Sequence, residues 1–463
     1  MLFANYTRWI FLLVVFGIGP VHAQKEPANL QFSIITEKPI IAVDYTVDGK
    51  YLISGGSNRT VDVWDAESGR LVKSFEGHKD DVLCVRNSPD GRFIASGGVD
   101  KKVIIWELST GRVISRLAGH RDYVRDLAFS PDGRYLCSAS WDGTAALWDV
   151  ATGNRVETLG NHRDNVTAVG FNQDGTEVIT ACGDHLLRIW DLEKAQVIKT
   201  LEGHTDEIWD VKWSKNGRFA ASGGWDNKAR VWDIEAGEQI LELPGHITDV
   251  WSVDFDPDGL VLATSGGDKT VKLWDLATGE LIQNISGELH TSDVEEVSCS
   301  PDGQHIASAS RDGTIRVWKM PDLAERIRLL TDQKLKDWTK KGDLEKTEEY
   351  EARMQEKDKR ISQMKVDYTD KMLAYYVANT PWGLDIRLGD YNADEETFTI
   401  FSPKLGELQF EVPLDQAEVF KEKFDRVEFR DLELNFVDGH VQVQSLTAYL
   451  KGLNRRYHVA SGD

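Results

Sequence analysis

The chain of 463 residues is poor in cysteine and in basic residues. Its four cysteines, Cys84, Cys137, Cys182 and Cys299, lack the spacing of a disulfide framework or a zinc site. They fall within predicted strands, so we interpret them as small buried residues. Lys and Arg number 54 against 76 Asp and Glu, a net charge of −22 with no basic cluster. We therefore expect no nucleic-acid partner, because phosphate binding needs a basic face.

Motifs of catalysis are also missing. The sequence has no phosphate-binding loop, no zinc-binding pair of histidines, no nucleophile elbow and no paired cysteines. We therefore expect no enzyme activity, no cofactor and no metal site.

Long apolar runs are missing too, apart from one near the start. The run Trp9–Gly19 follows Arg8 and is short for a bilayer. Val21–Ala23 then places small residues where signal peptidase cleaves, so residues 1–23 are predicted to be a signal peptide ending at Ala23. An uncleaved anchor is the alternative. No membrane span is expected after cleavage, and the mature chain is expected in a bacterial periplasm or cell envelope, or secreted.

A repeat dominates the rest of the sequence. Tryptophan returns every 42 to 44 residues, and histidine keeps the same period. The tryptophans are Trp64, Trp106, Trp148, Trp190, Trp232, Trp274 and Trp318, and the histidines are His78, His120, His162, His204, His246 and His290. Short apolar runs alternate with Pro-Asp-Gly and Asp-Gly turns, which predicts four antiparallel strands in each unit. Four-stranded units repeated around an axis form a β-propeller.

These units resemble seven WD40 repeats, and we assign residues 24–319 to a seven-bladed all-β propeller. The resemblance implies a buried tetrad in each blade: a His before the first strand, a Ser or Thr in the second, an Asp in the next turn and a Trp in the third. Six blades carry it complete: His78, Ser96, Asp100, Trp106; His120, Ser138, Asp142, Trp148; His162, Thr180, Asp184, Trp190; His204, Ser222, Asp226, Trp232; His246, Thr264, Asp268, Trp274; and His290, Ser308, Asp312, Trp318. We interpret these His–Asp pairs as structural, because buried polar groups need partners and each of the six blades has the same pair.

Blade 1 departs from the pattern. Ser54 and Trp64 are present, but Asn58 replaces the aspartate and Thr36 the histidine. Such a blade is expected where the ring closes. Two segments compete for the outer strand of blade 7: Asn29–Ile35, which we favour, and Glu325–Leu330.

The resemblance also implies that three positions per blade face the rim around the narrow end of the channel. The predicted partner-binding residues there are Tyr123, Arg125, Trp141, Trp209, Trp225, Trp251 and Arg311. Trp, Tyr and Arg are enriched at binding hot spots, whereas the alternative is that some indoles pack between blades. Acidic residues share these positions: Asp81, Glu207, Asp249, Asp293 and Glu295. We therefore predict a scaffold that binds a protein or peptide with apolar and basic groups. Carbohydrate recognition is the alternative, since indoles also stack on sugars, and a propeller enzyme with a channel site is a weaker one.

The repeat stops after Lys319. Residues 320–366 are predicted to form a helical connector, with helices in 332–364 separated near Gly342. Residues 367–463 are predicted to form a small α+β domain. Its predicted strands are Asp385–Leu388, Thr397–Phe401, Leu408–Val412 and a hairpin of Leu432–Val437 and Val441–Leu446, with a helix at Leu414–Phe424. The stretch Trp338–Tyr350 resembles a segment of bacterial cell-envelope proteins.

Overall fold

In a computed structural model, the repeat region forms seven four-stranded antiparallel sheets. The structure describes residues 29–285, 290–340 and 346–379, and beyond them 387–392, 397–402, 406–411, 421, 427–437, 440–450 and 455–458. The expected signal peptide lies outside the described residues. The innermost strands of neighbouring blades contact one another in sequence, and those of blade 7 contact blade 1. The predicted seven-bladed propeller is therefore confirmed.

The first strand, β1 Leu30–Ile35, belongs to blade 7. Blades 1 to 3 consist of β2 Ile40–Tyr45, β3 Tyr51–Gly56, β4 Thr60–Asp65, β5 Leu71–Glu76; β6 Val82–Asn87, β7 Phe93–Gly98, β8 Lys102–Glu107, β9 Val113–Ala118; and β10 Val124–Phe129, β11 Tyr135–Ser140, β12 Thr144–Asp149, β13 Arg155–Leu159. Blades 4 to 6 consist of β14 Val166–Phe171, β15 Glu177–Cys182, β16 Leu186–Asp191, β17 Gln196–Glu202; β18 Ile208–Trp213, β19 Phe219–Gly224, β20 Lys228–Asp233, β21 Glu238–Pro244; and β22 Val250–Phe255, β23 Val261–Gly266, β24 Val271–Asp275, β25 Glu280–Ile285. Blade 7 adds β26 Val294–Cys299, β27 His305–Ser310 and β28 Thr314–Lys319.

The turns are specified locally. In blade 3, the Ser130 hydroxyl accepts a hydrogen bond from the backbone N–H of Tyr135 (2.9 Å) and lies 2.6 Å from an oxygen of Asp132. Gly133 has a φ of 69°, a backbone conformation that glycine adopts without steric cost. The sequence Ser-Pro-Asp-Gly therefore closes a tight hairpin between β10 and β11.

The apolar core lies between blades. Leu127, Leu136 and Trp148 of blade 3 pack against Val103 and Leu117 of blade 2 in one buried cluster. Each sheet thus covers one face of its neighbour, and no blade has a complete core alone. The cysteines take part in this packing: Cys84, Cys137 and Cys182 are buried, Cys299 is half-buried, and all four are free thiols. Their interpretation as small structural residues is confirmed.

The N-terminal strand closes the ring. β1 pairs antiparallel with β28, with Ile34 opposite Ile315, so the favoured segment supplies the outer strand of blade 7. Glu325–Leu330, the rival segment, is helical and belongs to α1 Leu323–Thr339.

The C-terminal helices pack on the propeller. α1 is capped by Asp322, whose carboxylate accepts the Glu325 N–H at 2.8 Å, and is followed by α2 Thr347–Gln355 and α3 Lys357–Asn379. The helices thus begin before residue 332, and α3 continues through the predicted boundary at 366/367. Gly342 lies outside the described residues. We call α1 and α3 together the helical layer.

The helical layer covers one blade edge that is exposed elsewhere. Ile282 on β25 is 3% exposed and packs against Ile327 and Tyr368. Its equivalents, at intervals of 42 residues on the outer strands of blades 1 to 5, are Val72, Ile114, Val156, Ile198 and Ile240, and they are 38–51% exposed. The repeat therefore places a Val or Ile on each of these edges, and the helical layer buries this residue only in blade 6.

Beyond α3 lie two antiparallel sheets of three strands. The first contains β29 Arg387–Asn392, β30 Thr397–Ser402 and β31 Gly406–Glu411; the second contains β32 Val427–Val437, β33 His440–Leu450 and β34 Arg455–His458. The predicted hairpin is confirmed, with Val437 opposite His440, while β34 was missed by the sequence reasoning. The predicted helix Leu414–Phe424 lies outside the described residues except for Lys421.

The closing strand offers a matched test. Ile34 is buried in the core between blades 7 and 1, whereas the adjacent Ile35 is 80% exposed. We expect Ile34→Ala to lower the free energy of unfolding by about 2–4 kcal/mol, through lost burial and a cavity. Ile35→Ala should change it by less than about 0.5 kcal/mol. Urea unfolding followed by tryptophan fluorescence measures both, and equal effects would contradict the closure described here.

Candidate functional site

The tetrads form hydrogen-bonded chains inside the blades. In blades 2, 3, 5, 6 and 7 the His Nδ1 lies 2.9–3.2 Å from the aspartate, and Nε2 lies 2.7–2.8 Å from the Ser or Thr hydroxyl. The tryptophan N–H donates to the same hydroxyl at 2.7–2.9 Å. Because an ionised aspartate only accepts, Nδ1 carries the proton and Nε2 accepts from the hydroxyl. Burial alone would raise the pKa of Asp226, but hydrogen bonds from His204 and Arg230 hold it well below its usual range.

Blade 4 departs from this arrangement, although its tetrad residues are complete. His162 Nε2 still lies 2.9 Å from the Thr180 hydroxyl, but Asp184 takes two hydrogen bonds from Arg188 at 3.0 and 2.7 Å. His162 Nδ1 is left buried without a partner in hydrogen-bond geometry. Burial, together with the positive charge of Arg188, lowers the pKa of His162 to about 4.

At the ring closure, blade 1 replaces the tetrad with other contacts. Trp64 still donates to the Ser54 hydroxyl at 2.8 Å, and Asn58 donates to Asp62 at 2.7 Å. The Thr36 hydroxyl donates to the carbonyl oxygen of Gly313 in blade 7 at 2.9 Å. The departures seen in the sequence therefore coincide with the closure.

Four predicted rim residues form one contiguous group, the tryptophan cluster, consisting of Trp141, Trp209, Trp225 and Trp251. Trp209 is central: its ring centroid lies 4.8 Å from that of Trp251, 5.4 Å from Trp225 and 6.1 Å from Trp141. Tyr123 extends the cluster, with its centroid 5.2 Å from Trp141. These predicted rim residues of blades 3, 5 and 6 are therefore in contact with one another.

Strand registers bring these side chains together. Trp209 and Trp251 are the second residues of the innermost strands β18 and β22. Trp141 and Trp225 occupy the turns after β11 and β19, where their backbone N–H groups donate to the carbonyls of Tyr123 (3.0 Å) and Glu207 (2.8 Å). Each turn is thereby held over the start of its own innermost strand.

Exposure within the cluster is uneven. Trp209 is only 8% exposed, so it supports the surface, whereas sequence reasoning placed it on the exposed rim. Trp141, Trp225 and Trp251 are half-buried. The indole Nε1 atoms of all four lie beneath the surface without a hydrogen-bond partner among the described residues. Such unpaired donors cost folding free energy.

The two arginines of the predicted set differ in their surroundings. Arg125 lies over Trp209, its Cζ 5.1 Å from the ring centroid, and donates to the Leu83 carbonyl at 3.3 Å. Arg311 is exposed and its Nε donates to Glu295. Glu295, which the sequence reasoning counted among the surface acids, is 3% exposed and also faces Arg125 at 3.7 Å. It therefore neutralises the arginines and is not available to a partner.

Other acids do remain at the rim. Asp81, Glu207, Asp249 and Asp293 are half-buried there, and Asp164 and Asp206 are exposed. Partial burial, together with Asp206 and Asp293, raises the pKa of Asp249; partial burial, Asp164 and Asp206 do the same for Glu207. The rim carries carboxylates that a positive charge would stabilise.

Ile247 is a rim residue that the sequence reasoning missed. It directly follows the tetrad His246, precedes Trp251 by four residues in the same blade and is 80% exposed. The signal was available, because the same position in the other complete blades holds Lys79, Arg121, Arg163, Thr205 and Thr291. A single apolar residue at an otherwise polar repeat position marks this sector of the rim.

Ion pairs fill the channel below the cluster. Arg86 lies 2.6 Å from Asp126 and 2.7 Å from Glu296, while Lys212 lies 3.6 Å from Asp210. Burial alone would raise the pKa of Asp126, but Arg86 and Lys212 lower it. The cavity between this network and the cluster has a volume of about 20 Å³, room for about one water molecule. These residues were also missed, although Arg86 and Lys212 share one repeat position and Asp126 and Asp210 another.

The repeat region is similar to two known families. Residues 153–191, 195–233, 237–275 and 279–319 match the family model described as WD domain, G-beta repeat, and residues 39–163 match the IFT122 first beta-propeller model. The chain contains WD40 repeats. Tetrads, blade number and family models agree on this, and the expected resemblance is confirmed.

Individual relatives match this WD40 propeller over short stretches. The U3 snoRNP-associated protein-like YAOH of Oryza sativa subsp. japonica is 33% identical over 64 residues, 14% of this chain and 12% of the relative. Protein NEDD1 of Homo sapiens is 54% identical over 35 residues, 8% of this chain and 5% of the relative. The chain thus spans a small part of these relatives, and the likeness does not extend to their partners.

No group of three or more His, Cys, Asp or Glu side chains among the described residues is placed to hold a metal ion. Within the same residues, no helix combines the length and apolarity needed to cross a bilayer.

The unusual blade 4 tetrad predicts a pH dependence. A histidine whose pKa falls from 6.5 to about 4 on folding contributes stability that is fully present above pH 6.5 and is lost as the pH falls through 4. Because the unfolded chain binds the proton first, we expect the free energy of unfolding to decrease over this window. His162→Gln should reduce that slope by up to about 1.4 kcal/mol per pH unit.

Urea unfolding across that pH range measures the slope for both proteins. The difference in unfolding free energy between the two proteins above pH 7 is the control, because His162 is neutral there in both the folded and unfolded chain and the difference reflects only the changed packing. An unchanged slope in the variant would contradict the buried, neutral state of His162.

Proposed function

We propose that this WD40 propeller is a non-catalytic interaction scaffold, and that the tryptophan cluster binds a protein or peptide partner carrying apolar and basic groups. The observation that carries the proposal is the meeting of four tryptophans from three blades around Trp209, with an exposed isoleucine and carboxylates beside them.

The apolar part of the surface supports a protein partner. Trp141, Trp225 and Trp251 each leave part of a large ring accessible, and Ile247 exposes most of its side chain. Grouped exposed apolar residues on a soluble protein mark contact surfaces. The buried Trp209 and the tethered Arg125 hold these rings in place, so little side-chain entropy is lost on binding.

The polar part favours a basic peptide. Asp249 and Glu207 have raised pKa values because of partial burial and neighbouring carboxylates, so a Lys or Arg of the partner would stabilise their ionised forms. A sugar offers hydroxyl acceptors and a face for stacking, but no positive charge for the carboxylates. Carbohydrate is therefore the second candidate.

For the location of the protein, we propose export. The apolar run Trp9–Gly19 and the small residues at Val21–Ala23 support a cleaved signal peptide, and the resemblance of Trp338–Tyr350 supports a bacterial periplasm or cell envelope. Export predicts that the purified mature protein begins at Gln24. Intact mass spectrometry of protein produced with its full N-terminus measures this, and a retained residue 1–23 segment would count against export.

The partner proposal predicts a charge- and indole-dependent capture. Crosslinking and co-purification with the full-length chain should recover a protein whose yield falls about tenfold or more with Trp209→Ala plus Trp251→Ala, since hot-spot tryptophans each contribute about 2 kcal/mol or more. Because truncating the buried Trp209 also perturbs packing, Trp225→Ala is the cleaner single variant and should show a similar loss. Asp249→Asn should weaken capture and reduce its salt dependence.

The matched control is Trp338→Ala, a half-buried tryptophan on α1 far from the rim in sequence and outside the cluster. Its capture should equal that of the unchanged chain. Capture that survives all rim variants contradicts the proposal, and glycan-array binding that depends on the same indoles, with no protein recovered, would replace peptide by carbohydrate.

A further inference from the structure

A second cavity lies beneath the helical layer, at the opposite ends of the innermost strands from the tryptophan cluster. In blade 6, Trp251 is near the start of β22, whereas Asp256 of the cavity directly follows its end. A strand of six residues separates the two sites by about 17–20 Å. The cavity has a volume of about 270 Å³, and Arg326 of α1 and Met372 of α3 line it on the side of the helical layer. It is distinct from the proposed rim site.

Arg326 is the unusual group in this cavity. It is 6% exposed, and its guanidinium makes no hydrogen bond within the described part of the chain. The nearest carboxylate oxygen is Asp275 Oδ2, 3.8 Å from Nη1, which is too far for a hydrogen bond. Nε of this guanidinium is buried without an acceptor among the described residues, and such an unpaired donor is costly to keep. Its position in the cavity wall makes it available to a planar pair of acceptor oxygens.

Two aspartates on the propeller side of the cavity each use only one carboxylate oxygen as a hydrogen-bond acceptor. Asp256 Oδ1 accepts the backbone N–H groups of Leu260 (2.7 Å) and Val261 (2.8 Å), and Asp275 Oδ1 accepts from the N–H and hydroxyl of Thr278, both at 2.9 Å. Neither Oδ2 accepts a hydrogen bond from a described residue. Burial raises the pKa of Asp256 to about 6 and raises that of Asp275, although Arg326 lowers both. Both carboxylates would therefore gain from a positively charged donor beside Oδ2.

Two further aspartates, Asp258 and Asp322, belong to the lining, and Asp322 caps α1; much of the remaining lining is apolar. Leu260, Met320, Leu323 and Met372 line the same space, and the two methionines are buried. Methionine side chains adapt to irregular apolar ligands. The cavity thus places one cationic donor, four carboxylates, two of them with a free oxygen, and an apolar wall around a volume just below that of most ligand sites.

We propose that this cavity binds a small zwitterion of the α-amino-acid class with an apolar side chain. The ligand carboxylate pairs with the fork of Arg326, its ammonium donates to the free oxygens of Asp256 and Asp275, and its side chain packs on the methionines. A simple anion would face the carboxylates, and a simple cation would face Arg326, so a ligand carrying both charges is favoured over either. Since the floor belongs to the propeller and the roof to the helical layer, the ligand also joins the two.

Ligand binding to the folded chain raises its unfolding temperature. The test therefore uses the full chain, with leucine and methionine as probes, in thermal-shift measurements and isothermal titration calorimetry. Two partial analogues separate the charges: leucinamide lacks the carboxylate and 4-methylpentanoate lacks the ammonium. We expect leucine or methionine to bind. Both analogues should bind at least about tenfold more weakly, because each leaves a buried charged group unpaired.

Arg326→Lys keeps the charge but removes the fork, and should weaken binding about tenfold or more. The matched control is Arg328→Lys on the same helix, whose side chain is 57% exposed and lies outside this cavity. Because Arg326→Lys also changes a contact between the helical layer and the propeller, Ala277→Leu serves as a second variant that narrows the cavity without changing its charge. Circular dichroism checks that each variant is folded.

The proposal is overturned if no probe shifts the unfolding temperature, if leucine and its analogues bind equally, or if Arg326→Lys and Arg328→Lys behave alike. A cavity that holds only water gives the first of these results.

Discussion

One hydrogen bond is made in every blade: the indole N–H of the repeated tryptophan donates to a Ser or Thr hydroxyl at 2.7–3.0 Å. That hydroxyl joins the second strand to the third, and in six blades it also binds the histidine before the first strand. The rim residues are adjacent in sequence to this chain of contacts, since they follow the histidine or precede the aspartate. The tetrads therefore set the geometry of the rim that carries the tryptophan cluster, although they do not form part of it.

The polar groups of this propeller are satisfied unevenly. In the tetrads and the channel network, nearly every buried charge has an opposite charge or a hydrogen-bond donor beside it, for example Glu296, which accepts from both Arg86 and the backbone N–H of Val43 at 2.9 Å. The buried polar atoms without a partner among the described residues include the four indole N–H groups of the tryptophan cluster and Nε of Arg326, but also atoms elsewhere, such as Tyr45 Oη and His162 Nδ1. An unpaired buried donor costs folding free energy. Ligand binding is the benefit that we propose to offset this cost at Arg326.

The helical layer breaks the symmetry of the ring. Blades 1 to 5 carry the same apolar outer-strand position as Ile282, but only the blade 6 residue is buried against Ile327 and Leu330. The layer reaches as far as blade 5, where Tyr375 stacks on Phe219 with centroids 6.5 Å apart. The outer edges of several blades thus offer the same apolar position, but the helical layer packs on that position only in blade 6. Blade 6 precedes the last blade, from which the chain continues into the helices.

The fold was predictable because its signals are local and recur with one period. The tetrad residues, the Pro-Asp-Gly turns and the defective blade 1 each lie within a single repeat, so the sequence alone determined the blade number and favoured N-terminal closure. The membership of the tryptophan cluster also followed from repeat positions. The exposure of these residues did not follow: Trp209 is buried because Trp225 of its own blade and Trp141, Trp251 and Arg125 of other blades converge on it.

Contacts between distant segments were decided only by the tertiary structure. Glu295 is paired with Arg125 and Arg311, and the channel is filled by ion pairs such as Arg86 with Glu296. Arg326 of α1 is buried where the helical layer packs on the propeller. The two members of such a pair lie from 16 to more than 200 residues apart in the chain, and no sequence pattern links one to the other. The physical reason is that burial and charge pairing depend on distances across the ring, which the repeat period does not specify.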